Sequence, residues 1–469
     1  MKINIKKISV LMAAPILLLG CSEDYLDADS RDDIAFEDSG TVVTPLQMVT
    51  GVYGRHTGWN YAFSFLGITE IISDNADKGS SATDTGSDKD VLDGLTHTTS
   101  AGSINAMWTE WYKTIGRATI AIDYTESYEN YDESLKARLI GEAKFLRALN
   151  YFWLVRSFGD VPIQEQDLIV RAPKDEVYAY IIQDLQDAIE ALPLKSEYAA
   201  SDLGRATKGS AQGLLAKVYL YQENWQAAFD QANVLINTSE YDLEPNYAEI
   251  WRASTENGVE SIFEIQGRGE TINHGIQQYS QTQGARGTSG WGWGFNTPSQ
   301  NLVDAFDAAG DEVRKDASII FAGETLWDGR EVSASTENPR YNEKAYSSLN
   351  AGDSDGDKNI RVLRFAEILL IKAEAAFHIG EDAAAPLNLV RERVGLDPID
   401  NPTLEQIWNE RRLELAMEHD RWFDLVRTGQ AEAAMAADGK TFIVGKHELF
   451  PIPNNQLIQT PEMVQNPNW

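Results

Sequence analysis

The chain has 469 residues, 43% hydrophobic and 24% charged, a balance that suits a globular protein with a large core and excludes a disordered or fibrous one. Its 72 acidic residues outweigh 40 basic ones, and a formal net charge of −32 excludes a basic face for nucleic acid or anionic lipid. The single cysteine, Cys21, excludes an internal disulfide.

Residues 1–20 carry Lys2, Lys6 and Lys7, then an apolar run from Ile8 to Leu19, and lead into Leu18-Leu19-Gly20-Cys21. A positive front and a short apolar core make a secretory signal. Leu-Leu-Gly-Cys resembles a bacterial lipobox, which implies cleavage before Cys21 and acyl chains on its thiol and amine. Buried methylenes at ~0.8 kcal/mol each would then tether the mature protein to a membrane. The competing reading is a transmembrane helix, but the run is short and is followed by acidic residues instead of a basic stop. Ser22-Glu23-Asp24 and Asp27 resemble an export signal to the cell exterior, and 21–44 reads as a polar, lipidated tether.

Residues 45–53 read as a first helix. Gly54-Arg55-His56-Thr57-Gly58-Trp59-Asn60-Tyr61 reads as a glycine-bracketed loop, 65–72 as a second helix, and Ser73-Asp74-Asn75-Ala76-Asp77 as its close. The polar stretch 78–93 reads as a long surface loop. Trp108, Trp111, Ile115 and Ile122 lie near one face of a helix over 104–124.

The stretch 132–236 organises the chain. Leu139, Ala143, Leu146, Leu149 and Phe152 recur at helical steps before a Gly159-then-Pro162 stop, and Val177, Ile181, Leu185, Ile189 and Leu192 do so after Pro173. Two further arms, from Leu214 and from Trp225, flank Gln222-Glu223-Asn224. This helical hairpin resembles a tetratricopeptide (TPR) unit, without a strict ~34-residue period. Val259–Gln266 then reads as a short strand. The stretch 267–295, ending Gly290-Trp291-Gly292-Trp293-Gly294-Phe295, is too glycine-rich for a regular helix. Residues 299–306 return to helix and 307–359 read as irregular. A last helical block covers 362–379, 383–394 and 404–419, the third opened by a Thr403/Gln406 capping box, before a loop tail over 447–469.

Several motifs then meet a family. Arg147-Ala148-Leu149-Asn150-Tyr151-Phe152 runs through to Phe158-Gly159-Asp160-Val161-Pro162, and Gly204-Arg205-Ala206-Thr207-Lys208 precedes the hairpin. Leu363-Arg364-Phe365-Ala366-Glu367-Ile368-Leu369-Leu370, Glu410-Arg411-Arg412-Leu413-Glu414-Leu415 and Asp420-Arg421-Trp422-Phe423-Asp424-Leu425-Val426-Arg427 follow, and Phe450-Pro451-Ile452-Pro453 with Gln465-Asn466-Pro467 closes the series. In this order, behind a lipobox, the chain resembles the SusD/RagB family of surface glycan-binding lipoproteins of Bacteroidetes. The resemblance implies a mostly α fold in a single compact domain over 45–469. TPR-like helical pairs, mainly within 45–240 and 360–420, would support a loop-rich half, mainly within 54–100 and 260–360. It implies an oligo- or polysaccharide ligand, a SusC-like TonB-dependent transporter as partner, and no catalytic step.

Sugar rings have apolar faces that stack on flat aromatics, and their hydroxyls need fixed polar partners. Trp291 and Trp293 fit, because no helix core accounts for them. Trp59 and Tyr61 sit in a similar loop. Asp77 is the preferred hydroxyl acceptor, with Asn75 beside it, although Asp74 and Asn75 also suit a turn. Trp327, Arg268 and Gln283 are lesser candidates. Trp108, Trp111, Trp153, Trp225, Trp408 and Trp422 read as core, and Arg411, Arg412, Glu414, Asp420, Arg421 and Asp424 read as structural ion pairs that lock helices together.

Two other classes compete. A hydrolase would need a placed carboxylate pair, and no HExxH, GxSxG or P-loop occurs. A TPR-type scaffold or lid for the transporter would grip its partner, or a nutrient other than a glycan, on helix faces. No cofactor is implied. Asp353, Asp355 and Asp357 alternate as calcium ligands do, but lack the EF-hand's later glutamate and its glycine position, so calcium stays a minor alternative.

Overall fold

The computed structural model describes residues 43–469 apart from 82, 85, 165–169, 268–274 and 349–356. Cys21 with the signal and nearly all of the tether, Arg268, and Asp353 and Asp355 lie outside the described residues. Pro45–Trp469 form one compact unit.

The unit opens with α1 (Pro45–Arg55), α2 (Trp59–Ala62) and α3 (Ser64–Leu66), a π-turn over Gly67–Ile71, β1 (Ala76–Gly79) and α4 (Ser87–Asp93). The helical frame is α5 (Gly102–Ser127), α6 (Glu133–Phe158), α7 (Lys174–Ala191), α8 (Lys208–Tyr221) and α9 (Trp225–Ile236). Then come β2 (Ser261–Ile265), α10 (Tyr279–Gln283), β3 (Phe295–Pro298), α11 (Gln300–Ala309), α12 (Glu312–Ser318), β4 (Ile319–Phe321), β5 (Arg340–Asn342) and β6 (Ile360–Arg364). The chain closes with α13 (Phe365–Ile379), α14 (Ala384–Arg393), α15 (Leu404–Glu414), α16 (Arg421–Arg427), α17 (Ala431–Ala437) and α18 (Asn454–Gln459). The fold is mostly α. Its strands among the described residues form antiparallel pairs, β1 with β3, β2 with β6 and β4 with β5.

Consecutive frame helices pack on one another from α5 to α9, and α9 packs on α13, which carries α14 and α15. Local chemistry sets the boundaries. Asp132 accepts the Leu135 N–H at 2.8 Å to start α6, and Gly159 ends it at φ +71°, a left-handed position. Glu223 turns the α8–α9 hairpin at φ +56°, and Asn224 caps α9. Thr403 and Gln406 exchange the two capping bonds of α15 at 2.9 and 3.2 Å. Trp108, Trp111, Trp153 and Trp422 are buried, each stabilising the fold by about 1.5–3 kcal/mol. Trp225 stacks on His378 at 3.8 Å, and the Trp408 indole donates to Glu374 at 3.0 Å.

The charged motifs of the C-terminal third are buried ion pairs. Arg411 bridges Glu367 and Asp424, Arg156 and Lys217 hold Asp420, and Arg314, Arg364 and Arg393 surround Glu414. Each carboxylate is matched by at least one cation, so the cluster clamps helices.

Several local expectations give way. Residues 360–364 are strand, because they pair with β2. Helix α15 stops at Glu414, since Met417 (φ +64°) and His419 (φ +72°) turn the chain inward. That turn sets the His419 ring between Thr69 Oγ1 (3.2 Å) and the Tyr279 hydroxyl (2.9 Å). The stretch 78–93 is not an open loop: α4 buries Lys89 and Leu92. Within 267–295, α10 is a short helix buried at all five residues, because its neighbouring glycines permit close backbone contact there. Among the described residues, no helix is long and apolar enough to cross a membrane.

Candidate functional site

The β1–β3 ladder assembles the site from distant segments. Gly79 pairs with Phe295 and Asp77 with Thr297. Gly79 lies at φ +68°, and a Cβ there would come 2.3 Å from the Gly294 carbonyl, so only glycine lets the two backbones meet. The Ser80 N–H donates to that carbonyl at 2.5 Å, and the Trp293 N–H donates to Gln281 at 2.8 Å. From the other side Gly275 presses on α2, with the Ile276 N–H donating to Thr57 at 2.7 Å.

The result is an aromatic platform. Trp59, 37% exposed, meets the half-buried Trp293 edge-on, with ring centroids 5.6 Å apart and planes at 67°. Phe63, one helical turn beyond Trp59, stacks beneath it at 5.1 Å and 17°. Phe295 meets Phe63 edge-on at 5.1 Å, and the Lys89 ammonium lies 3.6 Å from the Phe63 centroid. Burial lowers the Lys89 pKa to about 8, against the pull of Asp88 at 3.3 Å, so the ammonium stays charged at neutral pH. A cation there holds the ring by about 0.5–2 kcal/mol.

A polar rim adjoins the rings. Arg286 donates to Ser80 Oγ at 2.9 Å, to Asp84, and to the Trp293 carbonyl at 3.4 Å, and pairs with Glu337 at 3.1 Å. Asn60 accepts from Ser64 Oγ at 3.1 Å.

Other expected site residues lie elsewhere. Trp291 is 4% exposed and anchors its loop in a cluster with Tyr341 and Tyr346, since its N–H and that of Gly292 both turn back to the Ala285 carbonyl. Tyr61 is fully buried: α2 points it inward to His56, Phe65 and Trp153, with its hydroxyl 3.5 Å from Asn150. Asn75 is buried and accepts from Arg412 at 2.9 Å, and Gln283 is buried and accepts from Asn296 and Asn342 at 2.8 and 2.7 Å. Asp74 takes both bonds of the Arg421 fork at 2.7 and 2.8 Å. Asp77 is half-buried and pairs with Thr297 along the ladder. Burial and Asp93 raise its pKa, while Lys440 opposes them. Trp327 is 51% exposed, but packs against Tyr346 at 6.2 Å and under Arg252 at 4.1 Å, so it belongs with the Trp291 cluster.

Phe63, Lys89 and Arg286 escaped the sequence reading. The four-residue step from Trp59 to Phe63 marks a helix face, but the flanking glycines disguise it. Lys89 and Arg286 carry no local signal. A cavity of about 30 Å³ between the helices and the β2–β6 pair, lined by Phe65, Trp153, Arg156 and Asp420, has room for water.

A SusD family model matches residues 333–469, and a second, described as starch-binding associating with outer membrane, matches 24–220. The chain belongs to the SusD/RagB family. SusD-like protein P2 of Formosa agariphila is 29% identical, over 96% of this chain and 97% of that relative. Starch-binding protein SusD of Bacteroides thetaiotaomicron is 26% identical, over 77% of this chain and 78% of that one. Among solved structures, a laminarin binding SusD-like protein superimposes with a TM-score of 0.78 at 29% identity, covering 91% of this chain and 99% of the other. Surface glycan-binding protein A from Bacteroides fluxus does so at 0.79 and 25%, covering 91% and 99%. The helical frame described above is the SusD-like fold.

Proposed function

We propose that this protein is a cell-surface glycan-binding lipoprotein, tethered through Cys21 on the outer face of the outer membrane. It captures oligo- or polysaccharide and delivers it to a SusC-like TonB-dependent transporter, without catalysis. The observation that carries the reading is the exposed Trp59 indole braced by Trp293. The pair offers an apolar face for a sugar ring, with Asn60 and the Arg286 rim beside it for hydroxyls. The laminarin- and glycan-binding names of its structural relatives support the ligand class. The lipobox and the outer-membrane description of the matched family support the location.

Affinity electrophoresis of the protein from Ser22 onward, against a polysaccharide panel that includes laminarin, tests this. Retardation by one polymer, lost in Trp59→Ala/Trp293→Ala, is the expected result. Retardation unchanged in that variant would place the glycan site elsewhere on the protein, and no retardation of wild type by any polymer would shift the reading to a helical lid and scaffold of the transporter.

A further inference from the structure

We infer that the platform takes neutral polysaccharide and discriminates against uronate-rich or sulfated polymers. This inference rests on the glycan-binding reading.

A site for an anionic sugar needs a guanidinium or ammonium whose charge is left for the ligand, best as a planar fork matching carboxylate or sulfate. Among the described residues, Arg55, Lys89 and Arg286 touch the platform's rings or flank its segments, and each is matched by a carboxylate. Arg55, four residues before Trp59, pairs with Glu110 at 2.6 Å. Lys89 is buried beneath Phe63 and pairs with Asp88. Arg286, whose guanidinium reaches the Trp293 carbonyl, is held by two carboxylates, Asp84 and Glu337. The Arg286 group therefore sums to one negative charge, and Glu337 is exposed at the rim. The whole-chain charge of −32 adds a field of the same sign.

A neutral sugar meets this rim with hydroxyls that donate to carboxylates, at no charge cost. A uronate brings a like charge within a Debye length of Glu337, where repulsion is incompletely screened at physiological salt. The selectivity is thus electrostatic, and added salt reduces it.

The test is calorimetric titration of the full mature chain in detergent micelles. The probes are neutral gluco-, xylo- and manno-oligosaccharides and an oligogalacturonate of matched length, against wild type, Trp59→Ala/Trp293→Ala and Glu337→Gln. At least one neutral probe should bind, with oligogalacturonate about tenfold weaker or more. Glu337→Gln should narrow that ratio several-fold, and so should high salt. Oligogalacturonate binding as tight as the best neutral probe, lost in the tryptophan variant, would overturn the selectivity while leaving the glycan site standing. Neutral binding that survives the tryptophan variant, or no neutral binding, would overturn both.

Discussion

Trp59 and Trp293 are 234 residues apart in sequence, and their rings meet edge-on at 5.6 Å, one exposed and one half-buried. Stacking one sugar face on an indole buries apolar area worth about 1.5–3 kcal/mol. Trp59→Ala and Trp293→Ala should each weaken glycan binding by roughly tenfold or more, while thermal unfolding shifts little for Trp59→Ala. Trp291→Ala should behave in the opposite way. It empties a packed cluster and costs about 3–5 kcal/mol of stability. Side-by-side titration and melting curves of the three variants check this.

Lys89→Met should leave the fold intact and still loosen the platform, because the ring beneath Trp59 loses the cation 3.6 Å below it. A several-fold loss of affinity, with a shift in tryptophan fluorescence and recovery in Lys89→Arg, is expected.

Asp74 ties the end of the π-turn segment to α16. Burial resists its ionisation, yet Arg421 and then Arg412 prevail and hold the carboxyl at about 2, below its ordinary value. Its contribution is therefore present above about pH 4 and lost as the pH falls towards about 2. Asp74→Ala leaves the Arg421 guanidinium buried without its fork partner, at a cost of about 3–5 kcal/mol. Acid titration of the melting temperature should show the wild-type loss, and the variant should lack that part of it.

Glu70 works with the reverse sign. Burial lifts its carboxyl to about 8, although the His419 N–H donates to it at 2.7 Å. The folded state thus holds a proton that the unfolded chain releases at an ordinary carboxylate pKa. Its stabilisation is full in acid and is lost as the pH rises through about 8. Wild type should melt lower at about pH 9 than at about pH 6, and Glu70→Gln should flatten that slope.

The helical frame was legible because its signals are local. The α8–α9 turn, the Thr403 box and the Gly159 stop each lie within a few residues of what they control. The platform was half legible. Trp291 and Trp293 share the same glycine setting, and the cluster with Tyr341 and Tyr346, far along the chain, is what receives Trp291 and not Trp293. Tyr61 and Trp59 likewise part company only because 59–62 is a helical turn with one face on Phe65 and Trp153. The ion pairs were legible as types of bond but not as partners. Arg421 finds Asp74 across most of the chain length, and no local pattern foretells that.

The β1–β3 ladder also sets an order of events. Helices α5 to α9 pack through near neighbours in sequence, so they can form before the later part of the chain is made. The segment bearing Trp59 emerges first among the platform's parts, yet it must wait until Gly294 has followed before Gly79 can seat against it. Closing so long a loop costs entropy that only the finished ladder and its rings repay. The α5–α9 frame can therefore form before the proposed ligand surface. A chain arrested before residue 294 would be helical, folded in part, and blind to sugar.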